Sequence, residues 1–138
     1  MRQFSKLMAI CFLSIVALGI HAQTNNSSTS FQTPSGNIFC NFMDNALRCD
    51  LMSRTNKPPK KPADCPVEYG NAFEVNAKGE SMLLCYGDTI ADPLSPKLAY
   101  GSKWTKNGIT CESQTNGLTC SNQANRGFFI SKGNQKLF

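Results

Sequence analysis

The chain has 138 residues, 41% of them apolar, with fourteen Lys and Arg against nine Asp and Glu. That is enough for one domain with a thin core. So mild a positive excess argues against a nucleic-acid partner, which usually meets a clustered basic face.

At the N-terminus, Arg2 and Lys6 supply a basic start. Leu7 to Ile20 form an apolar stretch broken by Ser14 and Gly19, and His21-Ala22-Gln23 offers a small-residue exit. This is the layout of a secretory signal peptide over residues 1–22, with Ala22 at the cleavage position. A spanning helix needs about 20 apolar residues. This run is shorter and has no basic stop-transfer flank, which argues against the competing reading of a retained anchor. Cys11 follows Ile10, where lipid attachment requires a small residue, so a lipoprotein is not expected either. Cleavage would remove Arg2 and Lys6 and lower the net charge from +5 by two. It would also remove the single histidine, His21, and one of the seven cysteines. No stable membrane span is expected after cleavage.

Residues 23–30 include the polar run Thr24 to Ser30 (TNNSSTS) and read as a disordered lead-in. A single domain is expected over 31–138. Its apolar runs are short, β-branched and aromatic, with Gly, Pro, Asn and Asp between them, and nothing sustains a helical period. Strands are predicted at Asn37–Phe42, Leu47–Met52, Ala72–Val75, Ser81–Tyr86, Leu98–Tyr100, Gly108–Glu112, Leu118–Asn122 and Gly127–Ser131. The expected fold is all-β: a small, disulfide-stapled antiparallel sheet or barrel-like domain built of β-hairpins.

Cys40, Cys49, Cys65, Cys85, Cys111 and Cys120 remain in the mature chain. An even count in a short exported chain reads as a disulfide framework with 15 pairings open before any structural argument. Zinc is disfavoured, since there is no C-x-x-C pair and no histidine to complete a site. Ile38-x-Cys40 followed by Asn45-Ala-Leu-Arg-Cys49 recurs as Ile109-x-Cys111 followed by Asn116-Gly-Leu-Thr-Cys120. In a hairpin looping at Gln114–Gly117, Cys111 falls opposite Cys120, with Gly117 free to take positive φ. Opposed Cβ atoms lie about 4.5–5.5 Å apart, close to bridging reach. The same arithmetic opposes Cys40 to Cys49 around Met43–Ala46, although Ala46 suits positive φ poorly. The likeness reads better as two hairpins solving one problem than as a duplication. Cys65 and Cys85 then pair by elimination.

Two connections are long. Ser53–Pro66 carries the basic, proline-rich Lys57-Pro-Pro-Lys60-Lys61-Pro62, and Gly87–Lys97 carries Asp88 and Asp92. Binding residues concentrate on such loops, which makes Lys57, Lys60, Lys61, Asp88 and Asp92 the candidate binding residues. The lysine run would suit a phosphate-rich or acidic polymer, or serve simply as a solvated connector. Asp88 suits a turn in which its carboxylate bonds nearby N–H groups. Arg48 and Asp50, two apart on one strand face, would meet a ligand or, more simply, cross-strand neighbours. Tyr100, Trp104, Phe128 and Phe129 are expected to be core, with strand alternation turning one of the two phenylalanines outward.

With histidine gone and every thiol bridged, no Ser-His-Asp or Cys-His machinery is available. No catalytic residue, metal ligand or cofactor-binding residue is assigned, and no cofactor is expected. A carboxylate pair acting on sugars would have to be drawn from Asp50, Asp64, Glu68, Asp88, Asp92 and Glu112. Their spacing places no two across a cleft.

The ordered motifs Pro34-Ser-Gly-Asn37-Ile38-x-Cys40, Arg48-Cys-Asp50, Gly87-Asp-Thr89, Tyr100-Gly101 and Gly117-Leu-Thr-Cys120 resemble a family of exported bacterial six-cysteine proteins known only as a domain of unknown function. The resemblance implies an extracytoplasmic domain with the same three pairings, and implies no activity or ligand. The departure at Ala46, where a turn glycine is common, bears only on that turn. A short segment, Tyr100 to Gly108, is similar to part of the periplasmic inhibitors of C-type lysozymes.

The expected function is therefore a non-enzymatic binding or structural module of the envelope, secreted or periplasmic, with an envelope protein or cell-wall polymer as partner. A lysozyme-inhibitor-like protein and a histidine-free carboxylate hydrolase are the alternatives. Secretion with the native leader is expected to yield a chain beginning at Gln23 with no alkylatable thiol. Intact mass before and after alkylation without reductant checks both points, and free thiols or an uncleaved leader would contradict them.

Overall fold

The computed structural model describes residues 28–138. The expected signal peptide and residues 23–27 of the expected lead-in lie outside them. The described chain is all-β and contains no helix. In chain order β1 (Ser30–Gln32), β2 (Ile38–Met43), β3 (Ala46–Leu51), β4 (Glu68–Asn76) and β5 (Met82–Tyr86) form one antiparallel five-stranded meander. β6 (Lys103–Lys106), β7 (Ile109–Gln114), β8 (Gly117–Asn122), β9 (Gly127–Ile130) and β10 (Gln135–Leu137) form a second. The two sheets pack face to face.

Most expected strands appear with boundaries shifted by a few residues. Leu98–Tyr100 does not. Leu98 is buried, and its N–H reaches the Gln32 carbonyl at 2.8 Å, but Ser102 N–H bonds back to the Ala99 carbonyl at 3.0 Å and the chain turns through Gly101 (φ 83°). The apolar signal there marks a core plug, not a strand. Three short strands, β1, β6 and β10, lacked a local pattern long enough to predict them. Ser28–Ser30, expected in the lead-in, belong to the domain. Ser30 pairs with Asn41, Phe42 N–H reaches the Thr29 carbonyl at 2.7 Å, and the buried Trp104 indole donates to the Ser28 carbonyl at 3.0 Å.

The three expected disulfides are present. Cys40–Cys49 and Cys111–Cys120 join directly opposed residues, with Cα separations of 4.1 and 4.0 Å, and Cys65–Cys85 spans 5.7 Å. Closing loops of these lengths stabilises by about 3 kcal/mol each in the chain-entropy account. The β2–β3 turn resolves the difficulty at Ala46. Positive φ falls on Asp44 (50°) and Asn45 (62°), which tolerate it, while Ala46 pairs with Met43 inside the ladder.

The pairing registers reveal an internal repeat. Phe31, Cys40, Cys49, Phe73 and Leu83 are successive cross-strand partners in the first sheet. Trp104, Cys111, Cys120, Phe128 and Leu137 are their counterparts in the second. Both rows read aromatic, Cys, Cys, Phe, Leu. Equivalent residues also touch: the Phe31 and Trp104 rings lie 5.2 Å apart and the Phe73 and Phe128 rings 5.8 Å. Contacts between counterparts define an approximate two-fold axis running between the sheets. The equivalence extends through five strands, so the motif likeness belongs to a repeated half-domain, not to two independent hairpins. Each buried aromatic side chain contributes about 1.5–3 kcal/mol by leaving water, and the tilted ring pairs add to it.

Polar residues lock the rims. Asn122 is buried and uses its whole amide. It donates to the Asn76 and Gly79 carbonyls at 3.0 and 2.8 Å in the opposite sheet, and accepts from Ala124 and Arg126 N–H, both at 3.0 Å. The halves differ where the first carries extra chain. Met52–Val67 separates β3 from β4, where β8 and β9 are joined by Gln123–Arg126, and only the first half has the Cys65–Cys85 bridge.

Close strand approach makes one glycine irreplaceable. A Cβ at Gly127 would lie 1.9 Å from the Cys120 carbonyl oxygen, whereas one at Gly87 would meet nothing within 4 Å. Gly127→Ala is expected to cost more than about 4 kcal/mol, because backbone must move, and Gly87→Ala less than about 0.5 kcal/mol. Denaturant unfolding of both variants measures the difference.

Candidate binding cleft

Four turns meet at one end of the sandwich. The β1–β2 connection folds on itself: Gly36 N–H reaches the Thr33 carbonyl at 2.9 Å, Thr33 Oγ1 accepts from Ile38 N–H at 3.2 Å, and Ser35 Oγ accepts from Asn37 N–H at 3.3 Å. Asn37 then clasps Ser53, donating to its carbonyl at 3.0 Å and accepting from its N–H at 2.9 Å. Beside this loop stand Tyr100, the β7–β8 turn from Gln114 to Gly117, and Ser131-Lys132. Together they frame a cleft of about 400 Å³. Gly117 lets the turn sit close to β9, since a Cβ there would lie 2.6 Å from both the Ile130 carbonyl and the Phe129 ring.

The lining is uncharged apart from Lys132. It offers hydroxyls from Thr33, Ser35 and Thr115 and amides from Asn37, Gln114 and Asn116. Tyr100 stands on its wall, 47% exposed. This corrects the expectation that Tyr100 is core. Trp104 and Phe128 are fully buried, as expected, and Phe129 is half-buried on the other sheet face. A shallower depression beyond the turn shares Tyr100, Gln114, Thr115 and Asn116, so the ring and the turn stand between two hollows. Such a surface can hold a hydroxyl-rich ligand by a ring face and dispersed hydrogen bonds.

The expected binding residues are spread out. Lys57 lines a separate groove of about 340 Å³ with Arg54, Lys136 and the apolar Phe73, Leu83 and Leu137. Lys60, Lys61, Asp88 and Asp92 are exposed and line none of the cavities described here. Lys61 donates to the Val67 carbonyl at 3.1 Å. Asp92 caps its own turn, accepting from Leu94 N–H at 2.9 Å. Asp88 contributes its backbone carbonyl to Arg48, at 2.8 Å, in place of the carboxylate turn expected of it. The loop tip is held by buried Gln32, whose amide donates to the Pro93 and Ser95 carbonyls at 3.0 and 2.7 Å.

Arg48 and Asp50 pair with each other. Arg48 Nε and Nη2 bond the two carboxylate oxygens at 2.8 and 3.0 Å. Asp50, 1% exposed, also accepts from Thr89 Oγ1 and Ile90 N–H, both at 3.0 Å. The guanidinium lies 5.2 Å from the Tyr86 ring centre. Burial, with the Asp50 and Glu68 charges adding to it, raises the Tyr86 phenol above its ordinary pKa, while burial lowers that of Arg54. Every acceptor site on Asp50 that faces the loop is committed, so the pair is a clamp on Gly87–Ile90.

Asp64, Glu68, Asp88 and Asp92 are exposed, Glu112 pairs with Lys103 at 3.8 Å, and no carboxylate lines the cleft. Among the described residues no three acids, cysteines or histidines gather as a metal site. The segment similar to lysozyme inhibitors forms β6 and the Asn107-Gly108 turn, with its tryptophan buried in the core.

A family profile, DUF6636, a family of unknown function, matches residues 11–138. The chain belongs to DUF6636. No curated protein matches, and no solved structure does. Three bridged cysteine pairs fit an oxidising, extracytoplasmic environment for this DUF6636 domain. Of the sequence motifs, Arg48-Cys-Asp50 and Gly87-Asp-Thr89 build the clamp, whereas Pro34-Ser-Gly-Asn37, Tyr100-Gly101 and Gly117 contribute to the cleft and its adjoining hollow. Connection length, the signal that singles out Lys57 to Lys61 and Asp88 to Asp92, does not reach the short Gln114–Gly117 turn or Lys132. A paired turn motif, PSGN and QTNG, was the available signal.

Removing the buried carboxylate leaves a guanidinium and two loop donors without their acceptor. Asp50→Ala is expected to destabilise the domain by about 3–5 kcal/mol and to raise amide exchange selectively at residues 88–90. Thermal unfolding and hydrogen-exchange mass spectrometry read the two effects separately.

Proposed function

We propose that this protein is an exported, non-enzymatic binding module of the cell envelope, and that its ligand is a carbohydrate polymer held in the cleft beside Tyr100. One observation carries the reading. A half-exposed aromatic ring, stationed among neutral amides and hydroxyls on rigid turns, matches the amphipathic surface of a sugar ring. Its face takes the apolar side, and the dispersed groups take the hydroxyls.

The chemistry around the cleft supports recognition over turnover. The six cysteines of the described chain are bridged, and Asp50, the buried carboxylate, is saturated by Arg48, Thr89 and Ile90. The turns are held by their own hydrogen bonds and by Asn37 on Ser53, so little ordering is left to occur on binding. The apolar stretch of residues 7–20 and the exit at Ala22 support delivery by a cleaved signal peptide.

Titration of the mature protein with neutral glycans (dextran and chitin oligomers) and acidic ones (polygalacturonate and hyaluronan) tests this. Binding to at least one is expected, weakened about tenfold or more by Tyr100→Ala, with near-UV circular dichroism showing an intact core. Retention of none of them, or full retention by Tyr100→Ala, would contradict the reading.

A further inference from the structure

The surface beside the cleft carries a charge pattern that the neutral lining does not explain. Two segments, 53–61 and 131–137, the second ending in β10, run together there. Thr55 N–H bonds the Lys132 carbonyl at 2.9 Å, Asn56 Nδ2 donates to Gln135 Oε1 at 2.9 Å, and Arg54 reaches the same Gln135 oxygen. Six cations fall on these segments: Arg54, Lys57, Lys60, Lys61, Lys132 and Lys136. Neither segment contains a carboxylate.

None of the six is neutralised. All nine acids of the chain lie among the described residues, and the ion pairs there are Arg48–Asp50, Lys103–Glu112 and Arg126–Glu80. Arg54 is spent structurally, donating to the Gly70 carbonyl at 2.7 Å and Asn71 Oδ1 at 3.1 Å, and Lys61 is held on Val67. Lys57, Lys60, Lys132 and Lys136 remain as ammonium groups with no acidic partner. Gathering like charges on one face costs self-repulsion that an anionic partner relieves.

Their placement gives direction. Lys132 lines the Tyr100 cleft, and Lys57 and Lys136 line the groove together with Arg54, Asn56 and Gln135, which flank the Thr55–Lys132 contact in sequence or bond across it. The proline-rich segment is already fixed, with Pro58 and Pro59 close against Gly70, where a Cβ would come within 3.2 Å of both. Binding therefore does not have to order it.

We propose that the ligand is an acidic polysaccharide: one sugar ring rests on Tyr100, and negatively charged groups farther along the same chain lie on Lys132, Lys57 and Lys136. This rests on the carbohydrate reading of the cleft and adds the charge class of the polymer.

The same acidic and neutral glycans, with polyphosphate as a polyanion lacking sugar, are titrated into wild type, Tyr100→Ala and the triple variant Lys57→Gln/Lys132→Gln/Lys136→Gln. All three substituted lysines are surface residues, and thermal midpoints confirm folding. Wild type is expected to prefer the acidic glycans by about tenfold at about 50 mM salt, the preference shrinking at about 500 mM. The triple variant is expected to lose about tenfold on acidic glycans and less than about threefold on neutral ones, to which Lys132 on the cleft wall offers a hydrogen bond but no charge pairing. Tyr100→Ala is expected to weaken both. An unchanged triple variant, or no preference for acidic glycans, would overturn the charge assignment while leaving the cleft standing if Tyr100→Ala still weakens binding. Polyphosphate binding as tightly as the acidic glycans, unaffected by Tyr100→Ala, would overturn it in favour of plain polyanion attraction. Binding to nothing would remove both readings.

Discussion

Two rows of side chains face each other across the interior, each an aromatic residue, a disulfide and a phenylalanine, ending on a leucine nearer the surface, and the sandwich is built outward from their contact. Each row crosses five strands of its own sheet, so it fixes the register of the whole meander. The disulfide at its centre joins directly opposed residues, so a slip of β2 against β3, or of β7 against β8, is covalently forbidden. A slip would also turn every inward side chain outward. Since counterparts meet counterparts, Phe31 on Trp104 and Phe73 on Phe128, the same geometry serves both halves.

Small domains have little apolar surface to bury, and this one supplements it with the buried side chains of Asp50, Gln32 and Asn122, each hydrogen-bonded to backbone. Asp50, Gln32 and Asn122 each bind backbone of a segment that has no ladder of its own: Asp50 the Thr89–Ile90 turn, Gln32 the Pro93–Ser95 tip, Asn122 the ends of the β4–β5 and β8–β9 turns. Satisfied groups of this kind do more to fix one conformation than to raise stability. They fix the Gly87–Lys97 loop and the neighbouring turns, while the turns of the cleft are held separately by Thr33, Ser35 and Asn37.

Repetition also locates what is specialised. Where the halves agree, residues make core. Where they depart, the first half carries the long Met52–Val67 connection with its own disulfide and lysines, and a longer β1–β2 connection in place of Asn107-Gly108. The cleft and the basic segments both use those departures.

Local sequence determined the all-β class, the positions of most strands and the two hairpin disulfides, because alternation and hairpin arithmetic act over a few residues, and Cys65–Cys85 followed by elimination. Trp104 and Phe128 were legible as core for the same reason. Tertiary structure alone decided that Leu98 plugs the core without forming a strand, since its backbone partner, Gln32, lies far away in sequence. It decided too that Arg48 and Asp50 clamp a loop forty residues on, and that Tyr100 stands outside. The cleft could not be read from the chain at all. Its walls come from four turns that are individually ordinary, and only the stacking of two meanders brings Asn37, Tyr100, Asn116 and Lys132 to one end of the molecule.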